Sequence, residues 1–446
     1  MSGLASEPRG IAASARATDE LGGAGRVGEP PEDIVALYKR HVSRGRATLA
    51  DLTGGRLEVS SAGAHVYDDT GRRYLDCGGY GVFLLGHRHP AVTAKVVEQI
   101  NRHPMASRIL LEPTVARAAA TLAGVTPPGL DFVHFVNSGA EAVEAAIKLA
   151  RAHGRFRLVS TAGGYHGKTM GALTLTAREL YQAPFRPLLP SARHVPYGDA
   201  GALAEVLRRQ PDSCVVIEPV QGENGVVLPP AGYLRAVEAL CREHGAFFVL
   251  DEVQTGLGRL GTWWGADREG VVPDALLVGK NLSGGVIPVA AMVATAAAYA
   301  PFSRDPFLHT STFAGSPVAM AAATAAVQAI RDEGLVERAR DLGARILAGL
   351  GAVFAENCPH LVREVRGAGL LIGVEFADEH GAGDFVLELL DRHVLVNHSL
   401  NAHRVIRFTP PAVLSEADVT WLLDAVTAAA RAMAARAMAA RGRRAA

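Results

Sequence analysis

Through the middle of the chain, short unbroken apolar runs alternate with longer segments in which apolar residues return every three or four positions. The runs DFVHFV (131–136), FRLVS (156–160), SCVVIE (213–218), FFVL (247–250), ALLV (275–278) and VAAMVAT (289–295) have the length of strands buried on both faces of a parallel sheet. Between them the period is helical. Val143, Ala146, Ile147 and Ala150 fall at i, i+3, i+4 and i+7, with Glu144 and Lys148 expected to pair on the outer face. Tyr233, Leu234, Val237 and Cys241 line one face of another helix, which stops at Gly245. This repeated strand and helix order predicts an α/β domain.

The two ends read differently. Residues 1–30, rich in Gly, Ala, Ser and Arg without periodicity, are expected to form a disordered leader. Ile34, Val35, Leu37 and Tyr38 make a short helical stripe, and AHVYDDTGRRYLD (64–76) reads as a hairpin turning at Asp69, Thr70 and Gly71. Beyond about residue 340, VREVRGAGLLIGVEF (362–376) reads as strand, turn, strand, and VIRFTPP (405–411) as a strand closed by prolines. The last helix is expected to start at Ser415, with Asp418 completing a capping box. Arg431, Arg436 and Arg441 recur every five residues, a spacing that smears round a helix, so a frayed, solvated extension is expected there. The boundaries that follow are the leader, an N-terminal segment of a small domain (31–80), a large domain (81–335), a C-terminal small α+β domain (336–430) and an Ala/Arg tail (431–446).

Composition narrows the class. A chain of 446 residues, 49% hydrophobic and 20% charged, has material for a large core in two lobes. Lys plus Arg and Asp plus Glu are both 45, so no basic field advertises nucleic acid or an anionic membrane, and the partner expected is a small molecule. Cys77, Cys214, Cys241 and Cys358 are scattered without a metal or redox spacing and are expected to pack as small hydrophobes. No apolar run is long enough to cross a bilayer and the N-terminus lacks the pattern of a secretory signal, so a cytoplasmic location is expected.

The candidate chemistry sits where the strands end. Asp251 follows one buried strand and Lys280 another, at the carboxyl edge where α/β sheets place ligands. Two explanations fit: a structural ion pair, or the lysine and carboxylate that pyridoxal phosphate requires, one to hold it as a Schiff base and one to keep its ring nitrogen protonated. Ser138, Gly139 and Ala140 join a strand to a helix N-terminus, which is either an anion cradle or an ordinary Ser cap. TAGGYHGKT (161–169) presents Tyr165, His166 and Lys168, with an aromatic that could lie on a heteroaromatic ring or pack in a loop. In the glycine-rich CGGYGVFLLGHRHPAV (77–92), Tyr80 and Phe83 are candidate pocket walls. His87 and His89 lack a third ligand at a metal-binding spacing and read as turn-building residues, so no metal is expected. Glu218 and Glu223 could be an acid and base as in glycoside hydrolysis, but without sugar-binding aromatics a charge-pairing role is expected.

NSGAEAVEAAIKLAR (137–151), GGYHGKT (163–169), IEPVQGENG (217–225), LDEVQTGLGR (250–259), the lysine of LLVGK (276–280), STFAGSP (311–317) and IRFTPP (406–411) together resemble the class III pyridoxal-phosphate aminotransferases of fold type I, over roughly residues 35–430. The resemblance implies a large domain on a mostly parallel seven-stranded sheet flanked by helices, a smaller α+β domain from both termini, and a homodimer, or a tetramer of two such dimers, with its site at the subunit interface. It implies Lys280 as the cofactor's covalent anchor and proton shuttle, and Asp251 at the pyridine nitrogen. Val253 and Tyr165 would lie on opposite ring faces, and Gln254 at the phenolic oxygen. His166 is carried over as a cofactor contact and Glu218 as a neighbour of the imine region. Ser138, Gly139 and Ala140 would hold the phosphate, joined by Thr312 of the neighbouring subunit.

Arg407, paired with Glu223, would bind the carboxylate of an oxo acid and be neutralised by Glu223 when the donor has none. GGYGVFLLGHRHP, GGYHGKTMGALTLTA, PFRPLLPSARHVPYGD, GVVLPPAGYL and DPFLHTSTFAG are similar to the putrescine aminotransferase subgroup. The activity implied is transfer of an amino group from a terminal amine, such as putrescine or cadaverine, to 2-oxoglutarate or pyruvate. The alternatives are an ω-aminotransferase of the ornithine, acetylornithine or lysine type, or one in a specialised biosynthetic pathway. Lys168, Ala314, Ser316 and NLSGG (281–285) depart from the commoner pattern at the pocket mouth. A cofactor-binding sensor without turnover would be expected to carry a DNA-binding module, which the polar leader does not resemble.

Overall fold

The computed structural model describes residues 33–52 and 54–445, so the expected leader lies outside the described residues. The chain divides into two compact units, Met1–Leu57 and Glu58–Ala446. In the first, the Asp33 side chain accepts from the Ala36 amide at 2.9 Å and caps helix Ile34–Leu37. A π-helical turn, Tyr38–Val42, and helix Arg44–Leu52 follow.

The second unit opens on an antiparallel meander of β1 (Glu58–Ala62), β2 (His65–Asp68) and β3 (Arg73–Asp76). The β2–β3 turn forms where expected: Asp68 Oδ1 accepts from the amides of Thr70 and Arg72 at 3.0 and 2.9 Å, and Gly71 supplies the φ of 79° that closes it.

Seven strands then build the large sheet: β4 (Leu130–Val136), β5 (Arg157–Thr161), β6 (Arg193–Val195), β7 (Ser213–Ile217), β8 (Phe247–Asp251), β9 (Ala275–Val278) and β10 (Ala290–Thr295). Their order is β4-β10-β9-β8-β7-β5-β6, parallel except that β10 runs against both neighbours. Both faces are buried, and side chains alternate between two apolar layers. Val215, Ile217, Phe248, Leu250, Leu276 and Val278 face the layer that holds Tyr233, Leu234 and Val237 of helix Tyr233–His244. Cys214, Val216, Phe247, Val249, Ala275 and Leu277 face the layer that holds Val143, Ala146, Ile147 and Ala150 of helix Gly139–Ala152. All four cysteines are free and buried.

The expected Glu144–Lys148 pair does not form. Glu144 Oε1 instead accepts from Thr169 Oγ1 at 2.6 Å and from the amides of Gly171 and Ala172 at 2.8 and 3.1 Å, while Lys148 Nζ lies 3.1 Å from His309 Nδ1. Residues 169–172 overlie this helix face, and three converging donors at the start of helix Met170–Leu175 hold the carboxylate better than one flexible ammonium could.

The remaining strands are β11 (Val362–Ala368), β12 (Leu371–Phe376), β13 (Val394–Leu395), β14 (Asn397–His398) and β15 (Val405–Phe408). β11-β12-β15-β14 form an antiparallel sheet, while β13 joins β3 in parallel, with Val394 opposite Leu75. A segment from late in the chain thus completes the first sheet. Phe354, Phe376, Phe385 and Phe408 pack beneath the last sheet, the Phe376 and Phe385 rings 5.1 Å apart.

Ser415 and Asp418 exchange the two bonds of a capping box, Ser415 N to Asp418 Oδ2 at 2.9 Å and Asp418 N to Ser415 Oγ at 3.2 Å. The helix they start, Glu416–Ala445, is not the frayed extension expected beyond residue 430. Ala430 and Met433 are buried, Arg431 Nε donates to Asn357 Oδ1 at 3.0 Å, and Arg436 pairs with Glu388. The small apolar residues between the arginines continue the packed face that the five-residue spacing obscures.

Candidate active site

The parallel strands deliver their charges to one edge. β8 ends in Asp251, β7 runs into Glu218, β9 runs through Gly279 into Lys280, β5 leads into the loop with Tyr165 and His166, and β4 leads to Ser138. These loops enclose a cavity of about 290 Å³ lined by Gly139, Ala140, Tyr165, His166, Lys168, Glu218, Asp251, Val253, Gln254 and Lys280. Ser138 and Gly139 also face an adjoining cavity of about 340 Å³, which shares Lys280.

Asp251 is held at both oxygens. Oδ2 lies 2.7 Å from His166 Nδ1, and Oδ1 accepts from the Val253 amide at 3.1 Å. Burial pulls the His166 imidazole towards neutrality, but the hydrogen bond and charge of Asp251 outweigh it and leave its pKa raised. Among the described residues the Glu218 carboxyl has only the Tyr165 amide, at 2.9 Å, and burial pushes it up to about 7 against the pull of the His166 cation. Burial likewise lowers the Lys280 amine, opposed by the Glu223 charge. Lys280 adopts a left-handed φ of 43°, an uncommon strain for a residue with a long side chain.

Next to Lys280, Arg407 Nη1 lies 2.6 Å from Glu223 Oε1, both residues almost wholly buried. Arg407 projects from β15 and Glu223 from the loop after β7, so residues 184 positions apart in the chain meet only through the tertiary fold. Glu223 Oε2 also accepts from the Leu400 amide at 3.0 Å, and Arg407 Nε finds no acceptor among the described residues.

The other expected residues lie at the margin. Tyr80 is 60% exposed at a left-handed φ of 50°. Its neighbour Gly81 is the closer wall: a Cβ there would sit 3.7 Å from Lys280 Cδ and 3.6 Å from Gln254 Nε2. Phe83 stacks on His87 at 3.8 Å, behind the loop and off the lining of the cavity. His87 turns to Asp76 at 2.9 Å and His89 to Glu333 at 3.0 Å, so the two imidazoles serve separate carboxylates. Thr312 is exposed, on a loop whose Ser311 Oγ accepts from Asn137 Nδ2 at 3.0 Å.

Sequence reasoning missed three residues. Arg259 is fully buried, and its guanidinium donates to the carbonyls of Pro410 and Leu370 at 2.7 and 3.2 Å and reaches Gly81 O at 3.5 Å. Burial lowers its pKa to about 9, helped by Arg407. Glu252, its carboxyl raised to about 7 by burial, accepts from the amides of Gly265 and Ala266 at 2.9 and 2.8 Å and shapes the loop after Asp251. Tyr181 lies against Lys168. The first two lie in the LDEVQTGLGR motif, a signal of importance without a role; Tyr181 carries no local signal.

The cavity fits a phosphate-bearing pyridinium ring. Helix Gly139–Ala152 begins here, capped by Ser138, which accepts from Glu141 N at 3.3 Å, and the amides of its first turn suit a phosphate. A Cβ at Gly139 would come 2.8 Å from Val253 Cγ1, and one at Gly222 would come 2.0 Å from Gln254 Oε1, so glycine at both positions keeps Val253 and Gln254 where they are. Gln254 Nε2 is a buried donor with no acceptor among the described residues, placed for an oxygen on such a ring.

The chain as a whole is similar to known proteins. A family model described as "Aminotransferase class-III" matches residues 56–430. The ornithine aminotransferase of Toxoplasma gondii is similar at 32% identity and a TM-score of 0.83, over 89% of this chain and 94% of that one. An (S)-enantioselective ω-transaminase of Thermomicrobium roseum is similar at 28% identity and 0.82, over 90% and 98%. A transaminase of the marine bacterium Virgibacillus, at 23% identity and 0.84 over 91% and 100%, shares the fold. With a match that spans both the large sheet and the C-terminal strands, the chain belongs to the class III aminotransferases, enzymes that depend on pyridoxal phosphate.

Proposed function

We propose that the enzyme moves an amino group from a terminal amine, a diamine such as putrescine or cadaverine, to 2-oxoglutarate or pyruvate. The observation that carries this is the buried Arg407–Glu223 pair. An enzyme whose two substrates differ by a carboxylate needs a cation that can be exposed for one and cancelled for the other. A diamine offers no carboxylate, and Glu223 then keeps Arg407 neutralised. An oxo acid takes the guanidinium over, with Arg407 Nε among the N–H groups left to bond it.

Pyridoxal phosphate, when bound, supplies an electron sink for charge that develops at the carbon bearing the amino group. The chain supplies the rest. Asp251, braced by His166 and Val253 N, holds the proton on the ring nitrogen. The amides at Gly139 and Ala140 and the Ser138 hydroxyl bind the phosphate. Val253 and Tyr165 would flank the ring, and Gln254 would offer Nε2 to its oxygen. Lys280 would anchor the cofactor and then move the substrate's proton, a task for which burial readies its amine by favouring the neutral form. Glu218, with a carboxyl near 7, borders the reacting nitrogen.

A homodimer in which Thr312 of each subunit reaches the other's phosphate is part of the same proposal. Ile109, Leu110, Leu111, Phe307, Leu308 and Phe313 are exposed large hydrophobics, and those at 307–313 flank Thr312, so a second copy would cover them. No helix among the described residues is long and apolar enough to cross a membrane. A cytoplasmic location is inferred from this together with the sequence.

One observation favours an ω-amino acid donor of the ornithine type: Lys168, a cation on the cavity wall, could hold a distal carboxylate. Holoenzyme mixed with single donors separates the two, because loss of the lysine-bound cofactor's visible absorption ranks donors without an acceptor present. Conversion by putrescine or cadaverine ahead of ornithine and lysine is expected. The opposite order overturns the diamine assignment. Light scattering should return the mass of at least a dimer.

A further inference from the structure

We infer that Tyr181 sets the balance between donors with a cationic and an anionic far end, by holding the Lys168 ammonium on its ring face while its hydroxyl braces the segment that positions Glu223. This rests on the donor reading above. Lys168 lines the same cavity as Glu218 and Lys280, yet its Nζ lies 3.9 Å from the centroid of the Tyr181 ring, within the range where a ring quadrupole attracts a cation. The Tyr181 hydroxyl donates to the Leu400 carbonyl at 3.1 Å. The Leu400 amide donates to Glu223 Oε2 at 3.0 Å, and the Asn401 amide to the Glu223 carbonyl at 2.8 Å. Glu223 Oε1 in turn meets Arg407 at 2.6 Å. One side chain therefore touches Lys168 directly and reaches Glu223 through Leu400.

An unheld ammonium on the cavity wall would do two things to a donor. It would repel the distal ammonium of a diamine, and it would swing to meet the distal carboxylate of an ω-amino acid. Parking it on a neutral ring removes neither the charge nor the reach, but biases the lysine towards one position, away from the Glu218 carboxyl on the cavity wall. Tyr181 stays a neutral donor in this arrangement because burial raises its phenol. It stands in ARELYQAPF (177–185), a stretch with no catalytic motif, which is why only the fold reveals it.

The test compares holoenzymes of wild type, Tyr181→Leu and Tyr181→Phe in single-turnover reactions with putrescine, 4-aminobutyrate and butylamine. Tyr181→Leu should lower the ratio of putrescine to 4-aminobutyrate efficiency by about two- to fivefold, the range expected for one cation–π contact at an accessible site, with butylamine as the uncharged reference. Tyr181→Phe keeps the ring and should retain the ratio, while the lost bond to Leu400 shifts the KM for the oxo acid. An unchanged ratio in Tyr181→Leu, or an equal shift in both variants, overturns the inference.

A second readout needs no turnover. The resonance of ¹³C-methylated Lys168, assigned with Lys168→Gln, should be displaced upfield by the ring and return in Tyr181→Leu; an undisplaced wild-type resonance refutes the pair. Should neither donor convert the wild-type protein, the diamine reading fails by itself and the resonance still decides the pair.

Discussion

Replacing Glu223 by glutamine tests the two-substrate reading at its centre. Gln keeps the shape and can still accept from the Leu400 amide, now 3.0 Å from Oε2, but removes the charge that faces Arg407 at 2.6 Å. Two unit charges about 4 Å apart at an effective dielectric near 20 attract by about 4 kcal/mol before desolvation is counted. Close charge pairs retain a net coupling from about 1.5 kcal/mol upward, and about 1.5–3 kcal/mol is equivalent to roughly 10- to 150-fold in an equilibrium constant. In the wild-type enzyme an incoming carboxylate must displace Glu223, so that net strength opposes it. In Glu223→Gln it does not, and the dissociation constant of the oxo acid should fall within that range. A diamine should bind more weakly, because its far ammonium meets an uncancelled guanidinium. Stopped-flow measurement of each half-reaction alone reads the two constants separately. Opposite signs are required: movement of both in one direction, or by one factor, would mean that Glu223 does not govern Arg407.

Three other outcomes follow from the packing and the buried charges. Glu218 and Glu252 rise from 4.5 to about 7 on folding, so each contributes stability that is complete below about 4.5 and lost as pH rises through 7. His134, His194, His309 and His398, which burial lowers, act in the opposite sense and continue to do so across the same window, because the unfolded imidazole is still half protonated at about 6.5. Between pH 6.5 and 7.5 the cofactor-free wild-type protein should therefore lose roughly 0.7 kcal/mol relative to Glu218→Gln, read from the urea midpoints of the two proteins at each pH; a difference of the opposite sign contradicts the reasoning. Gly343→Ala puts a Cβ 2.0 Å from the carbonyl oxygen of Gly369, a backbone atom with nowhere to go, and should cost about 1–3 kcal/mol in denaturant unfolding. Gly351→Ala in the same helix meets nothing within 4 Å and should gain about 0.5–1 kcal/mol; equal effects would show that helix propensity alone decides. Arg259→Lys loses the fork that joins Pro410 to Leu370 and should lower the midpoint of denaturant unfolding by an amount equivalent to about 1–3 kcal/mol.

Most of the large sheet was legible because its strands are buried on both faces. Such strands are unbroken apolar runs, and the charge that stops each run lands at the ligand edge, as Asp251 and Lys280 do. The β2–β3 turn and the Ser415–Asp418 box were legible for a different reason: their bonds close within a few residues. What local pattern misjudged was which polar face stays wet. Glu144 reads as an outer-face partner of Lys148 until residues 169–172 arrive from elsewhere in the chain, and the last helix reads as solvated until Asn357 and Glu388 meet its arginines. His166 against Asp251, and Arg259 against three carbonyls, belong to the same class: a contact between distant segments has no periodicity to announce it.

The pattern of pairing among the buried charges separates scaffold from chemistry. A charge taken from water destabilises the fold unless another group compensates it. Asp251 has His166 and an amide, Glu223 has Arg407 and an amide, and Arg259 has main-chain carbonyls. Among the described residues, no ion pair closes on Lys280 or Glu218. Of the groups that line the cavity, these two move towards neutrality, the amine downward and the carboxyl up to about 7, whereas Glu252 and Arg259, which move the same way outside the lining, are held by main-chain amides and carbonyls. A group with a dedicated counter-charge is locked in one protonation state; one without it can lose or gain a proton at modest cost. Lys280 adds a left-handed backbone, a strain of about 1–3 kcal/mol, which the tightly bonded loops on either side sustain. On the proposed reading, the fold therefore spends stability at the position whose nitrogen is to bond, release and carry a proton, and compensates the charges around it that stay fixed.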